Sequence, residues 1–170
     1  GLRKLHAMDA THFGWTEDYA FGSVPIRNGA CADWPDFWAQ NRLLPFVPDL
    51  PGDLSRRVAR LAQDLPNRLP DNPPAALLHG DLWSGNVLFS DQTAYLIDPA
   101  CYHGHAEVDL AMLSLFGSIP PPFWAGYGAD APDRADRLPI YQLWPALVHL
   151  RLFGAGYHTL VSRLLEDAGV

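Results

Sequence analysis

The sequence holds one lysine, Lys4, two cysteines, Cys31 and Cys101, and two methionines among its 170 residues. Two cysteines build neither a disulfide framework nor a paired C-x-x-C metal motif, and that usage fits a reducing cytoplasm. Lysine and arginine together number 12 against 19 acidic residues, giving a formal charge of −7. A polyanion is met by a basic stripe, which these dispersed cations do not supply, so nucleic acid is not expected as a partner. No apolar run reaches the roughly 20 residues that span a bilayer. The opening residues GLRKLHAMDATHFGW contain no unbroken apolar stretch of the signal-peptide kind. A soluble, cytoplasmic protein with no membrane partner is expected. At 48% apolar composition the chain has material for one well-buried domain and too little length for two.

Chemistry concentrates in the run LLHGDLWSGNVLF at residues 77–89, followed by YLIDPA at 95–100. Phosphoryl transfer is mainly positioning and charge stabilisation, and it needs an oxygen base beside oxygen ligands for a hard cation. Asp81 suits the base. Asn86 lies five residues on, enough chain for a tight loop to return its amide oxygen to the same place, with Gly80 and Gly85 easing the backbone. Asp98 ends an apolar strand and Pro99 stops that strand, so the carboxylate is presented at an edge. An H-G-D triplet alone supports no more than a turn aspartate; the full context, with Asn86 and Asp98 each beside a short apolar strand, carries the functional reading.

Hydrophobic periodicity frames this loop. A helix is expected to end within residues 2–8, and 10–32 reads as a loop rich in glycine and aromatic residues, long enough to suggest binding. Its Phe13, Trp15, Tyr19 and Phe21 are read as packing, with recognition open. Asp33 is an N-cap for a helix over 34–47 with Pro35 in its first turn. Asp53 is expected to cap a second helix over 54–69, where Leu54, Val58, Leu61 and Leu65 recur at helical spacing. Short strands are expected at 76–78, 87–89 and 94–97. Helices follow at 107–116, 123–127, 134–153 and 157–166, the long one ended or kinked by Pro139 and Pro145. The fold class is α+β, mostly helical, with a small β-sheet at the loop.

Several stretches together resemble the fructosamine (ketosamine) kinase family, within the aminoglycoside-phosphotransferase branch of the protein-kinase-like fold. They are LLHGDLWSGN (77–86), IDPACYHGHAEVDLAMLSLFG (97–117), YQLWPALVHLRLFGAGY (141–157) and FGSVPIRNGACADWPDFWAQNRL (21–43). The last departs from the family's usual pattern in carrying Ile26 where glutamine follows the proline. The resemblance implies that the chain is a carboxy-terminal lobe. It shows no glycine-rich phosphate loop and no lysine–glutamate grip, so an amino-terminal kinase lobe is expected to complete the ATP site.

The resemblance also implies roles. Asp81 would orient a hydroxyl and take its proton, while Asn86 and Asp98 would hold Mg²⁺ against ATP. His79 would be scaffold for the loop and not a second base. Asp109 reads either as helix-dipole stabilisation in a first turn or, as the family pattern implies, as a buried carboxylate accepting catalytic-loop amide hydrogens. Trp83 stands where protein kinases place a lysine. Its indole suits a sugar or a cationic amine, with core packing as the plainer alternative. Cys101, His103 and His105 form a C-x-H-x-H string that invites zinc, but no fourth ligand is evident. His103, His105 and Glu107 are better read as lining the substrate side or bracing the loop. His149, Arg151 and His158 read as structural or solvated.

The implied substrate is a ketoamine, free or protein-bound. An amino-sugar or amino-alcohol phosphotransferase is the alternative within the fold, and a lone substrate-binding lobe the alternative of another class.

Overall fold

Asp33 starts the first long helical run of the computed structural model, which describes residues 1–91, 93–128 and 133–170. Its carboxylate accepts the Asp36 amide hydrogen at 2.8 Å and Pro35 sits in the first turn, so α2 (Trp34–Trp38) begins as the sequence predicts. The run is not one α-helix to residue 47. It passes through a π turn over Ala39–Leu43 into a 3₁₀ stretch over Leu44–Asp49. Pro45 explains the change, because it donates no amide hydrogen and crowds the carbonyl four residues back.

The next helix, α3 (Gly52–Asp64), starts earlier than expected, after Pro51. Asp53 is therefore not its cap. It lies in the first turn, where the helix dipole favours a carboxylate, and pairs with Arg56 at 3.4 Å and Arg57 at 3.8 Å. Pro66 tightens its end into a 3₁₀ turn over Leu65–Asn67.

The predicted apolar faces meet in one core. Trp34, Phe37, Trp38 and Leu43 bury against Leu54, Val58, Leu61 and Leu65. Helix α6 (Arg134–Phe153) packs on α4 (Glu107–Leu115) and on α7 (His158–Asp167). Pro139 and Pro145 do not end α6, which stays helical over all 20 residues. Burial of Ile140, Tyr141, Leu143, Trp144, Ala146 and Leu147 around them outweighs the roughly 3 kcal/mol that an interior proline costs. Among the described residues no helix is long and apolar enough to cross a membrane.

The segment expected as a loop over 10–32 contains structure of its own. Strands β2 (Tyr19–Phe21) and β3 (Val24–Ile26) form an antiparallel hairpin that turns at Gly22, φ 57°. The alternation that marks β3 sends Val24 and Ile26 into the core, so the family-atypical Ile26 is a buried packing residue. Ordinary hydrophobicity does not hold this segment alone. The Arg42 guanidinium is fully buried among the rings of Phe37, Tyr102 and Trp144, at 4.9, 4.3 and 4.7 Å, and donates to the Arg27 carbonyl and to Asn28 Oδ1.

Two small sheets complete the α+β architecture. Strand β4 (Ala75–Leu78) lies between β1 (Asp9–Ala10) and β7 (Tyr102–Gly104), antiparallel to both. Strands β5 (Val87–Ser90) and β6 (Thr93–Leu96) form a separate antiparallel ribbon, with Leu96 opposite Val87. β1 and β7 were not expected from the sequence; β4, β5 and β6 were.

Arg42→Ala removes several charge-assisted hydrogen bonds, each worth roughly 1.5–3 kcal/mol, and strands the Asn28 side chain. A loss of about 3 kcal/mol or more is expected, read from the urea unfolding midpoint. A change below about 0.5 kcal/mol would show that Arg42 does not anchor the 10–32 segment.

Candidate active site

Strand β4 delivers His79, Gly80 and Asp81 to the point where the chain crosses residues 97–100. The Ala100 amide donates to the His79 carbonyl at 2.8 Å. Gly80 has φ 81°, and a Cβ there would stand 2.0 Å from the Ala100 carbonyl oxygen. Only glycine permits this crossing. The His79 ring closes it from the other side, with Nε2 bonded to the Ile97 carbonyl at 2.9 Å and Nδ1 accepting the Asp81 amide hydrogen at 3.4 Å. A carbonyl accepts and an amide donates, so the ring proton sits on Nε2.

Asp109 lies in the first turn of α4 and is fully buried. Its Oδ2 accepts the His79 amide hydrogen at 2.7 Å and its Oδ1 that of Gly80 at 3.0 Å. Both its oxygens thus face the loop.

Asp81 is half-buried and bound to Asn86, whose Nδ2 donates to the Asp81 carbonyl at 2.9 Å and to its carboxylate at 3.0 Å. Both partners are acceptors, so the NH₂ end faces Asp81 and the amide oxygen of Asn86 faces away. Burial pushes the Asp81 carboxyl above the ordinary range, partly opposed by the Asn86 bond. Asp98 follows β6, exposed, with φ 52°. Pro99 denies it the right-handed helical region, and aspartate tolerates the left-handed one. The Ile97 amide donates to the Asn86 carbonyl at 3.0 Å, so Asn86 and Asp98 stand at the same end of the β5–β6 ribbon.

Beside Asp81 opens a cavity of about 680 Å³. Trp83 forms one wall, 42% exposed, and Gly85 gives it room: a Cβ at 85 would meet the indole at 2.2 Å. Met112 and Phe116 of α4, Phe21 of β2 and a face of α6 with Trp144, His149 and Phe153 form the others, together with Tyr157. His149, expected to be structural or solvated, lines the cavity, with the rings of Phe116, Phe153 and Tyr157 at 5.1, 5.4 and 5.0 Å. Its Nδ1 donates to the Pro145 carbonyl at 2.7 Å, which leaves Nε2 as a polar atom among aromatic groups. A histidine on the apolar stripe 145, 148, 149, 152 was the available signal. Its direction toward the loop depends on packing that a single sequence does not contain.

His103 and Glu107 are not brought to this cavity. The His103 ring lies 5.3 Å from that of Trp15, and its backbone bonds to Gly14. Glu107 is buried, both its oxygens taken by Arg137 at 2.7 and 2.8 Å. His105 bonds the Tyr141 hydroxyl at 2.9 Å, which also accepts from Trp34 Nε1 at 2.9 Å. Burial pulls the His105 pKa down to about 4 despite the opposing charge of Glu107, so the ring is neutral near pH 7. Among the described residues no three His, Cys, Asp or Glu side chains form a metal-binding group.

A loop pinned by a helix carboxylate, followed by a two-stranded ribbon ending in I-D-P, fits a kinase-like fold. Within that class the chain belongs to the fructosamine kinase family, whose model matches residues 1–168. It is 37% identical over 177 residues to the "Probable ketoamine kinase" of Synechocystis, covering 98% of this chain and 59% of that protein. It is 34% identical over 168 residues to the ketosamine-3-kinase of Mus musculus, covering 92% and 54%. The crystal structure of a candidate fructosamine-3-kinase from Thermobifida fusca superposes with a TM-score of 0.89 at 38% identity, over 98% of this chain and 62% of that one. The chain spans about three fifths of the length of the relatives it matches.

Gly80→Ala, which forces both a left-handed alanine and a clash with backbone, is expected to destabilise by more than about 2 kcal/mol. Gly126→Ala, where a Cβ meets nothing within 4 Å, is the near-neutral control. Equal thermal shifts for the two would contradict the crossing described.

Proposed function

We propose that this chain carries the acceptor site and catalytic loop of an ATP-dependent kinase that phosphorylates a sugar hydroxyl of a ketoamine, free or protein-bound. One observation carries the reading. The Asp81 carboxylate stands at the wall of an aromatic cavity, while Asn86, bonded to it, turns its amide oxygen away from that carboxylate.

A hydroxyl in the cavity is oriented by Asp81, which takes its proton as the phosphoryl group arrives. A carboxyl held above its ordinary range is a better proton acceptor near neutral pH. Trp83 offers a flat face to the sugar or a π face to the ketoamine nitrogen, and His149 Nε2 a polar contact within the apolar wall. The Asn86 amide oxygen and the exposed Asp98 carboxylate are hard oxygen donors at one end of the ribbon, a donor set that fits Mg²⁺. The ion, when bound, supplies charge neutralisation at the ATP phosphates. Lys4 stands in α1 (Leu2–His6) and is the one lysine; the phosphate grip is assigned to an amino-terminal kinase lobe.

Among the described residues lining the cavity, Asp81 is the sole carboxylate. With that carboxylate assigned to the hydroxyl, the wall has no acidic partner for the several amines of an aminoglycoside, whereas Trp83 can meet a single one. A panel of a fructosamine, a ribulosamine, choline and kanamycin, given to the protein as its gene encodes it, is expected to show turnover of the first two. Turnover of kanamycin alone would move the assignment to the aminoglycoside reading. Ketoamine binding without any binding of Mg·ATP or turnover would favour a lone binding lobe.

Asp81→Asn is expected to lower kcat by roughly 10²–10⁴-fold with KM little changed; an unchanged kcat would remove Asp81 from the chemistry. Burial raises the Asp81 pKa, so kcat/KM should climb with pH through a midpoint above the ordinary carboxylate range. The same shift has a stability consequence. A raised carboxyl stabilises the fold below its unfolded pKa and loses that contribution as pH rises through the folded value. Asp81→Asn should therefore be as stable as the parent, or more so, at pH 7, and relatively less stable at acid pH.

A further inference from the structure

The carboxylate of Asp109 has a third partner outside the loop. His6, the last residue of α1, is buried, and its Nε2 lies 3.0 Å from Asp109 Oδ2. Its Nδ1 lies 2.7 Å from the hydroxyl of Tyr127, the last residue of α5 (Pro121–Tyr127), whose ring meets it edge-on at 5.7 Å. Burial, aided by the charges of Asp109 and Glu107, pushes the Tyr127 hydroxyl up to about 12. A carboxylate only accepts, so His6 Nε2 carries a proton aimed at Asp109 Oδ2, while Nδ1 is bonded to the Tyr127 hydroxyl. Tyr127, His6 and Asp109 form a buried chain of hydrogen bonds that ends on the carboxylate. It does not line the cavity, so it acts on no substrate directly.

Its effect falls on the loop. Asp109 Oδ2 receives two donors, His6 Nε2 and the His79 amide, while Oδ1 receives the Gly80 amide. A buried carboxylate with one donor removed is under-satisfied on one oxygen and free to rotate about its terminal bond. Rotation shifts both loop amides, and Asp81 is the next residue.

We propose that His6 is a positioning residue for phosphoryl transfer: it fixes the Asp109 carboxylate, and through it the loop that presents Asp81. The effect on transfer rests on the kinase reading above; the effect on the loop does not.

The test combines amide hydrogen exchange at His79 and Gly80 with steady-state kinetics on a fructosamine, in the protein as its gene encodes it. In His6→Ala, exchange at both amides is expected to quicken on the order of tenfold or more. kcat should fall roughly 10–100-fold, with the ketoamine KM within about twofold, because misplacement of a reacting group acts on the chemical step. His6→Gln places an amide donor near the Nε2 position, and should recover both readouts to within about threefold of the parent. Unchanged exchange in folded His6→Ala, a loss confined to KM, or a glutamine variant no better than alanine would each overturn the proposal.

Should His6→Ala fail to fold, Tyr127→Phe tests the same chain, since it removes only the hydroxyl that holds His6 Nδ1 and so orients the ring toward Asp109. A smaller change in the same direction is expected, and no change at the two amides would overturn the proposal. If the parent protein phosphorylates no ketoamine, the kinase reading fails while the exchange measurement still decides the coupling.

Discussion

The Asp109 carboxylate is the point on which the site depends. A fully buried charge is tolerated only when donors surround it, and here they come from the end of β4 and from α1. The helix dipole of α4 adds to them at the first turn. The loop cannot leave this carboxylate without stranding it, and that penalty locks the His79–Gly80 backbone. Gly80 then crosses Ala100 at a distance no other residue allows, and His79 ties the loop to Ile97. Asp81 is left half-buried at the cavity wall with Asn86 as its partner. One electrostatic constraint thus aligns two strand ends, a ribbon and two helices.

The same arrangement has a cost. Asp81 loses hydration and is harder to ionise than a surface aspartate, and Asp98 sits in a left-handed backbone conformation. Groups held in this way are expected where positioning matters more than stability. The cavity supplies the complementary part: an indole propped open by Gly85 and a histidine among aromatic rings, with few polar atoms to compete with a ligand for its hydroxyls.

The spacing of Asp81, Asn86 and Asp98 was legible in the sequence because those residues lie on one short stretch of chain, where glycine and proline dictate the turns. Helices α3, α6 and α7 were legible through periodicity, and α2 through its Asp33 cap. What escaped depends on distant neighbours. The β2–β3 hairpin has strands of three residues and is held by Arg42, which comes from another element. Pro139 and Pro145 read as helix breakers, yet burial of their surroundings keeps α6 whole. Asp53 reads as a cap because its residue type suits one, but the helix starts at Gly52, directly after Pro51, and leaves Asp53 inside the first turn. His149 reads as structural or solvated and His6 is passed over because a lone histidine says nothing of which atoms it meets. The partners of His6 lie in α4 and α5, and the rings around His149 are brought together by packing.

A crystal structure of the protein with a fructosamine bound tests the placement of Asp81 most directly. The sugar is expected in the cavity against Trp83, with one hydroxyl within hydrogen-bond reach of the Asp81 carboxylate, about 2.6–3.2 Å. A sugar bound elsewhere, or one in the cavity with every hydroxyl beyond that reach, would contradict it.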